Sequence, residues 1–252
     1  MPTELRQVTA TRYVAPLREG GSLPGLIEAD DEGLYVTKFR AAGQGEAALV
    51  AEVVAGELAR AIGLPVPELV VVDLAPALGV AEPDPEIQDL ILGSPGANLG
   101  MDFLPGALPV ALPADPAVGA ELAADVVWFD ALVTNVDRTH RNPNLLVWHG
   151  RLWLIDHGAA FFRQHGGRPL AQTARDDAPM LAEHALLPVA GSLADADERL
   201  ADDALAAVDG AVALVPPVWL GPDPDARRAD LAAFLRGRLA PPRPFVEELA
   251  RV

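Results

Sequence analysis

The sequence predicts an α+β fold that is mainly β over residues 1–104 and mainly α over residues 105–252. Three observations support this division. Short apolar and β-branched runs, bounded by Gly, Pro and acidic turns, fill the first hundred residues. Apolar residues at helical spacing dominate after residue 116. A hairpin pattern at residues 144–155 interrupts the helical part. A chain of 252 residues is long enough to form one large domain or two small lobes.

Three strands are predicted first, at residues 8–17, 24–30 and 33–39, and an acidic turn ending in Gly33 joins the last two. The connection at residues 18–24 is rich in glycine and contains Gly21 and Ser22. Backbone N–H groups in such a turn can approach phosphate oxygens, and a serine hydroxyl adds a donor. The Gly-Lys-Ser or Gly-Lys-Thr ending of a P-loop is absent, so the glycines alone indicate only a turn.

A helix is predicted at residues 44–62, because four apolar residues share one face and Gly63 with Pro65 ends it. A β-branched strand follows at residues 68–74. Residues 75–96 are rich in Pro, Gly and acid and indicate a loop with one short helix at 86–92. The last strand of the β part is predicted at residues 98–104, which include Met101, Asp102 and Phe103.

The second part begins with a proline-rich connection at residues 105–116 and a buried helix at 117–134. After the hairpin, prolines separate a polar segment and four short helical patterns, at residues 181–187, 202–214, 225–239 and 245–252. Residues 105–252 are therefore expected to be mainly helical.

The hairpin register follows from its two-residue turn, His149-Gly150. Counting back from this turn places Asn144 opposite Ile155 and the following Asp156 at the open end. Asn142 and Asp156 then lie diagonally across that end, within about 5 to 8 Å of each other. An amide oxygen and a carboxylate at this spacing suit Mg²⁺, which prefers a few oxygen ligands plus substrate phosphates.

Asp137 lies five residues before Asn142 in the same loop. It is expected to be a free carboxylate near the metal, able to orient and deprotonate a hydroxyl nucleophile.

Lys38 is predicted near the end of a strand with apolar neighbours, where a half-buried ammonium needs an anionic partner. A phosphate or an acidic residue of the next helix can provide it. Spacing alone does not separate Glu52 from Glu57 as that residue. Arg40 takes the phosphate role instead if the strand register differs by two.

Composition excludes several classes of function. The formal net charge of −17 argues against nucleic acid as a partner, because phosphate backbones require clustered Lys and Arg. The chain has no cysteine, no HExxH zinc motif and no Gly-x-Ser-x-Gly hydrolase motif. Neither a membrane-spanning run nor a signal peptide is recognisable, so a soluble cytoplasmic protein without a membrane partner is expected. High Ala, Pro, Arg and Asp usage is typical of a bacterial genome rich in G and C.

The candidate site residues, in their order along the chain, resemble those of a known family. Asp137-Arg138-Thr139-His140-Arg141-Asn142, followed by a hairpin and Asp156-His157-Gly158, resembles the catalytic loop and metal-binding turn of HipA-like kinases and, more distantly, of phosphoinositide kinases. Lys38, the helix carrying Glu52, and the glycine-rich turn at 19–25 occur in the order that this fold requires. The resemblance covers about residues 10–165.

The resemblance implies a two-lobed kinase-like fold that uses ATP and Mg²⁺ to phosphorylate a hydroxyl acceptor, most simply a protein serine or threonine. Lys38 is expected to bind the α- and β-phosphates, Glu52 to position Lys38, and Asp137 to orient the acceptor. The expected Mg²⁺ ligands are Asn142 and Asp156. The remaining expected nucleotide contacts come from the phosphate turn and from the strand that crosses between the lobes: Gly21, Ser22, Met101, Asp102 and Phe103.

Two other functions use the same residues. A pseudokinase binds nucleotide without turnover, and a small-molecule or lipid-headgroup kinase differs only in its acceptor. HipA toxins carry an additional N-terminal segment, whereas this chain begins almost at the first predicted core strand, so pairing with an antitoxin is not expected.

Overall fold

The structure is a computed structural model that describes residues 3–17, 23–43, 45–80, 82–113, 115–165 and 168–249. The predicted phosphate-turn residues Gly21 and Ser22 lie outside these ranges. The mixed α+β architecture is confirmed, with a strand-rich N-terminal region and a helical C-terminal region.

Five strands form a closed barrel in the order β1-β2-β3-β5-β4. They are β1 (Arg6–Pro16), β2 (Gly25–Ala29), β3 (Leu34–Lys38), β4 (Leu69–Leu74) and β5 (Gly96–Asp102). All neighbours pair antiparallel except β1 and β4, whose parallel pairing closes the barrel. Their inward-facing side chains form a separate small core with α2 (Pro85–Leu92). Gly100 allows this packing, because a Cβ there would lie 2.6 Å from Val72 Cγ2.

Helix α1 (Glu46–Ala61) lies between the barrel and the helical part. Eleven consecutive residues, 49–59, are buried, so the helix is covered on all sides rather than along one stripe. It ends at Gly63, whose φ of +87° suits glycine. Glu52 is consequently in the middle of a buried helix, where an ionised carboxylate must have partners.

The helical part packs α3 (Ala120–Val133), α4 (Leu193–Ala213), α5 (Pro224–Leu239) and α6 (Pro244–Leu249) into one large core with α1. Ser192 and Asp223 cap α4 and α5 by accepting backbone N–H groups from the first turn. A small sheet, β6 (Leu108–Pro109), β7 (Leu145–Trp148) and β8 (Arg151–Leu154), lies beside these helices.

Two predictions for the helical part were wrong. The helix expected at 181–187 is replaced by two 3₁₀ turns, Pro179–Glu183 and Leu187–Val189, because proline has no N–H to continue a helix. Helix α4 begins at Leu193 instead of residue 202. Its first turns bury small residues such as Ala196 among acidic ones, which gives a weak apolar pattern.

Across the described ranges, the structure contains no helix with the length and apolar character needed to cross a membrane.

Candidate active site

The candidate site begins with Lys38, the last residue of β3. Its ammonium Nζ forms an ion pair with Glu52 Oε1 on α1 and lies 2.6 Å from Asp156 Oδ1, just after β8. Three elements that are distant in sequence therefore meet at one lysine. The predicted pairing of Lys38 with Glu52 is present in the structure, and Asp156 joins it.

Glu52 holds the cluster together from its buried side. Its Oε2 accepts the backbone N–H of His157 at 2.9 Å, so this carboxylate joins β3, α1 and the turn after β8. Burial raises the pKa of the Glu52 carboxyl, but the Lys38 ammonium and the His157 contacts outweigh it and hold that pKa well below its usual range. Burial likewise lowers the pKa of Lys38, and the two carboxylates raise it above its usual value. The pair is therefore ionised at neutral pH.

Lys38 is also the only lysine in the chain, and the other eighteen cationic side chains are arginines. A lysine ammonium is a compact charge on a flexible stem, whereas a guanidinium is a planar fork. The lysine is used where the cation meets the carboxylates of Glu52 and Asp156 at the end of β3.

Arg40 and Glu57, the alternatives that spacing left open, have other partners in the structure. The backbone N–H of Arg40 donates to Asn98 Oδ1 at 2.9 Å, beyond the end of β3. Glu57 lies one and a half turns further along α1, with Arg60 Nε at 3.7 Å from its carboxylate. Lys38 and Glu52 are thus the pair that the fold brings together.

The hairpin has the predicted register. Trp148 pairs with Arg151, Leu145 pairs with Leu154, and Ile155 N–H donates to Asn144 O at 3.1 Å. The turn residues His149 and Gly150 both have positive φ, as a tight two-residue turn requires. Asp156 follows with a φ of +56°, a left-handed conformation that is uncommon for a residue other than glycine.

Asp137 lies in the loop between α3 and β7 and accepts a hydrogen bond from Asn142 Nδ2 at 2.7 Å. Burial raises the pKa of Asp137, and the negative charge of Asp156 raises it further. The two carboxylates are therefore close enough to repel each other.

The charges at this site suit a divalent cation. The single ammonium of Lys38 pairs with the carboxylates of Glu52 and Asp156, and the Asp137 carboxylate interacts with Asp156, which leaves an excess of negative charge. Side-chain oxygens of Asp156, Asp137 and Asn142 are the hard ligands that Mg²⁺ takes. Within the described ranges no group of three His, Cys, Asp or Glu side chains could hold a metal. The donor set here is smaller, as in sites where the substrate phosphates supply further ligands.

The predicted base-binding segment is the end of β5 and the residue after it. Met101 is buried, and the Asp102 N–H donates to Glu68 O at 2.9 Å. Phe103 N–H donates to Leu34 O at 2.9 Å. These two N–H groups are therefore used within the barrel, and the backbone carbonyls of the segment remain the candidates for contacts with a base.

Sequence reasoning missed a buried polar cluster behind Asp137. Asp130 on α3 binds Arg138 Nε at 2.5 Å, His184 Nε2 at 2.9 Å and Asn135 Nδ2 at 3.0 Å. The available signal was Asp130 itself, the only charged residue in the apolar run 126–133. A carboxylate in such a run requires a buried partner.

His157 contacts Glu52 with both its backbone and its ring. Its ring is fully buried against Phe129, edge to face at 6.1 Å between centroids, and neither ring nitrogen has a hydrogen-bond partner among the described residues. The backbone N–H of this residue binds Glu52 Oε2, and its ring Nδ1 lies 3.7 Å from the same oxygen, so both parts of His157 face the Glu52 carboxylate.

The chain is similar to known proteins in sequence and in fold. A sequence family described as HipA-like kinase matches residues 11–235. No curated protein matches the chain. Among solved structures, the proinflammatory kinase CtkA of Helicobacter pylori is similar with a TM-score of 0.56 at 12% sequence identity. The similarity covers 95% of this chain and 97% of that one, and at this identity it shows a shared fold.

Proposed function

Because this chain belongs to the HipA-like kinases, we propose that it transfers the γ-phosphoryl group of ATP, with Mg²⁺, to a hydroxyl acceptor. We further propose that the acceptor is a serine or threonine of a protein. The observation that carries the proposal is the meeting of Lys38, Glu52 and Asp156 at the end of β3. In this proposal residues 1–104 form the nucleotide-binding lobe and residues 105–252 the catalytic lobe.

Lys38 is proposed to bind the α- and β-phosphates. Its ammonium can exchange its contact with Asp156 for phosphate oxygens while Glu52 continues to hold it. Glu52 is proposed to stay ionised throughout, since the Lys38 charge and the neighbouring His157 side chain keep its pKa low. This arrangement gives phosphate binding without leaving a buried carboxylate unpaired.

Asp156 and Asn142 are the proposed ligands of Mg²⁺, which neutralises phosphate charge in this chemistry. Asp137 is proposed to orient the acceptor hydroxyl and accept its proton. The raised pKa of Asp137 supports that role, because a carboxylate with a higher pKa is a stronger base. The net charge of −17 supports a protein or small-molecule acceptor over nucleic acid.

The test is thermal unfolding with ATP, with and without Mg²⁺, for the wild type, Asp156→Ala and Asp73→Ala. The control removes an exposed carboxylate on β4, away from the site. ATP with Mg²⁺ at about 100 times Kd stabilises the native state by roughly 2.7 kcal/mol. We expect that stabilisation in the wild type and in Asp73→Ala, and its loss in Asp156→Ala. Equal stabilisation of all three proteins would overturn the metal assignment.

The single lysine gives a second readout on the same samples. An amine-acylating reagent can modify only Lys38 among the side chains. We expect ATP with Mg²⁺ to slow this modification in the wild type but not in Asp156→Ala, as measured by mass spectrometry. Modification at the same rate with and without nucleotide in the wild type would argue against Lys38 as the phosphate ligand.

A further inference from the structure

Three buried side chains lie directly behind the proposed catalytic loop, and we call them the loop clasp: Asp130, Arg138 and His184. Each is at most 3% exposed. Arg138 Nε lies 2.5 Å from Asp130 Oδ2, and His184 Nε2 lies 2.9 Å from the same oxygen. Burial raises the pKa of Asp130, but Arg138 and His184 outweigh it and hold that pKa well below its usual range.

Arg138 ties the loop to both strands of the hairpin. Its guanidinium NH1 group donates to three backbone carbonyls, those of Pro143 and Ile155, both at 3.3 Å, and of Asn144. Pro143 follows Asn142 directly, and Ile155 precedes Asp156. One side chain next to Asp137 thus holds the backbone beside both proposed metal ligands.

His184 connects a third segment, the 3₁₀ turns between residues 179 and 189. His184 Nδ1 accepts the backbone N–H of Leu186 at 3.1 Å, so the ring proton is on Nε2 and is donated to Asp130. The same segment pairs with the loop through its backbone, because Ala185 N–H donates to Arg138 O at 2.9 Å. An antiparallel bridge also joins Thr139 and His184.

Stability alone is a poor explanation for these contacts. A buried ion pair often contributes no more to stability than well-packed apolar side chains of the same volume. What such a buried group does provide is directional hydrogen bonding, since the guanidinium fork and the histidine fix the positions of their acceptors. Two of the three backbone acceptors of Arg138, the carbonyls of Pro143 and Ile155, belong to residues directly beside the proposed metal ligands.

We propose that Asp130, Arg138 and His184 are positioning residues that set where the Asp137 carboxylate lies relative to Asn142 and Asp156. The loop clasp then governs the transfer step and leaves nucleotide binding by Lys38 and Glu52 unchanged. This inference rests on the proposed function, because it assigns the clasp to the same phosphoryl transfer.

The test compares two substitutions at one position. His184→Asn keeps an acceptor for Leu186 N–H but cannot reach Asp130, whereas His184→Gln places an amide N–H near the position of Nε2. Arg243→Met is the control, since it breaks a paired contact with Asp197 on α4 that does not involve the loop. Each protein is assayed for ATP affinity with Mg²⁺, for ADP release with water as acceptor, and for phosphate incorporation from labelled ATP.

We expect His184→Asn to lower the turnover number at least tenfold with ATP affinity within threefold of wild type. His184→Gln should recover most of the turnover, and Arg243→Met should retain it. A loss in Asn and Gln variants alike, or an equal loss in Arg243→Met, would contradict a positioning role. Turnover of His184→Asn within twofold of wild type would overturn it as well.

Hydrogen exchange separates this inference from the proposed function. The N–H groups of Thr139 and Asn142 are hydrogen-bonded within the loop. In His184→Asn we expect the peptide covering residues 137–144 to exchange at least tenfold faster, with no change there in Arg243→Met. If the wild type neither binds ATP nor turns it over, the proposed function is wrong. If the loop of His184→Asn exchanges at the wild-type rate, the positioning role of the loop clasp is wrong.

Discussion

Two ionic clusters lie on either side of the loop that carries Asp137, and they differ in access to solvent. In the first, the side chains of Lys38 and Asp156 are 16% and 39% exposed. In the second, Arg138 and Asp130 are fully covered. Both contain a fully buried carboxylate whose pKa a neighbouring cation holds below its usual range. The same kind of ion pair therefore occurs once in a cluster that is open to solvent, the open cluster, and once in a cluster that is closed to solvent, the sealed cluster.

The choice of cation matches this difference. Lysine can move one contact to a new anion while keeping another, because its ammonium rotates on a flexible stem. Arginine 138 instead directs its donors at a carboxylate and at fixed carbonyl groups. We conclude that the open cluster is suited to ligand exchange and the sealed cluster to holding the backbone. The predictions below separate these two properties, beginning with the largest effect.

Asp137→Asn is expected to change chemistry without reducing stability. Phosphoryl transfer should fall by about 10² to 10⁴-fold, the usual contribution of a positioned base. The melting temperature should stay the same or rise, because burial and Asp156 both disfavour the ionised Asp137 in the native state. Transfer assays and calorimetry on the same sample measure both quantities. Full transfer activity in the variant would exclude Asp137 as the base.

Arg138→Met, in contrast, is expected to reduce stability. It leaves the Asp130 carboxylate buried with only His184 and Asn135 as partners, so the free energy of unfolding should fall by about 3 to 5 kcal/mol. Urea denaturation measures this change. Arg243→Met, which breaks a partly exposed pair, should cost less. Similar losses in the two variants would mean that burial does not distinguish the clusters.

The pKa values of Asp130 and Asp137 should be shifted in opposite directions. Asp130 has a pKa below its usual 3.8, and Asp137 has one above it. Asp130 therefore contributes stability that is fully present above pH of about 4 and is lost as the pH falls toward its folded pKa. The slope is at most about 1.4 kcal/mol per pH unit for the one proton involved.

Carbon-13 NMR of the side-chain carboxyl groups checks both pKa shifts in the native protein. The Asp130 signal should stay at its ionised position through pH 3.8, while the Asp137 signal should already be moving above that pH. Titration of Asp130 at an ordinary midpoint would show that the clasp does not hold its charge.

Gly158→Ala is expected to have the smallest effect. An added Cβ would lie 3.3 Å from Glu52 Oε1 and 3.5 Å from both Lys38 Nζ and Asp156 Oδ1. The contact with Glu52 is tight and the other two are ordinary van der Waals contacts, so Glu52 must shift by a few tenths of an ångström, and ATP affinity should fall about three- to tenfold. Gly119→Ala adds the same methyl group where no atom lies within 4 Å and should leave affinity unchanged.

The sequence was most informative where contacts are local or where a turn determines the strand register. A two-residue turn determines the hairpin register, so the open end with Asn142 and Asp156 followed directly. The choice of Glu52 over Glu57 depended on family resemblance, because both occupy the same Ala-rich helix. The loop clasp could not be predicted from the sequence. His184 contacts Asp130 from 54 residues away, and it lies in irregular 3₁₀ turns that have no periodic sequence pattern.

The parallel pairing of β1 with β4 has a consequence for how the barrel meets other chains. Arg6 to Thr9 pair with Val70 to Asp73, and this contact covers the edge of β4 that faces away from β5. A covered strand edge offers no template for an added strand, so a partner that meets the barrel at β4 contacts side chains of its surface. Loss of the β1 segment would instead expose the facing edges of β2 and β4 together, which converts a closed surface into two sites for self-association.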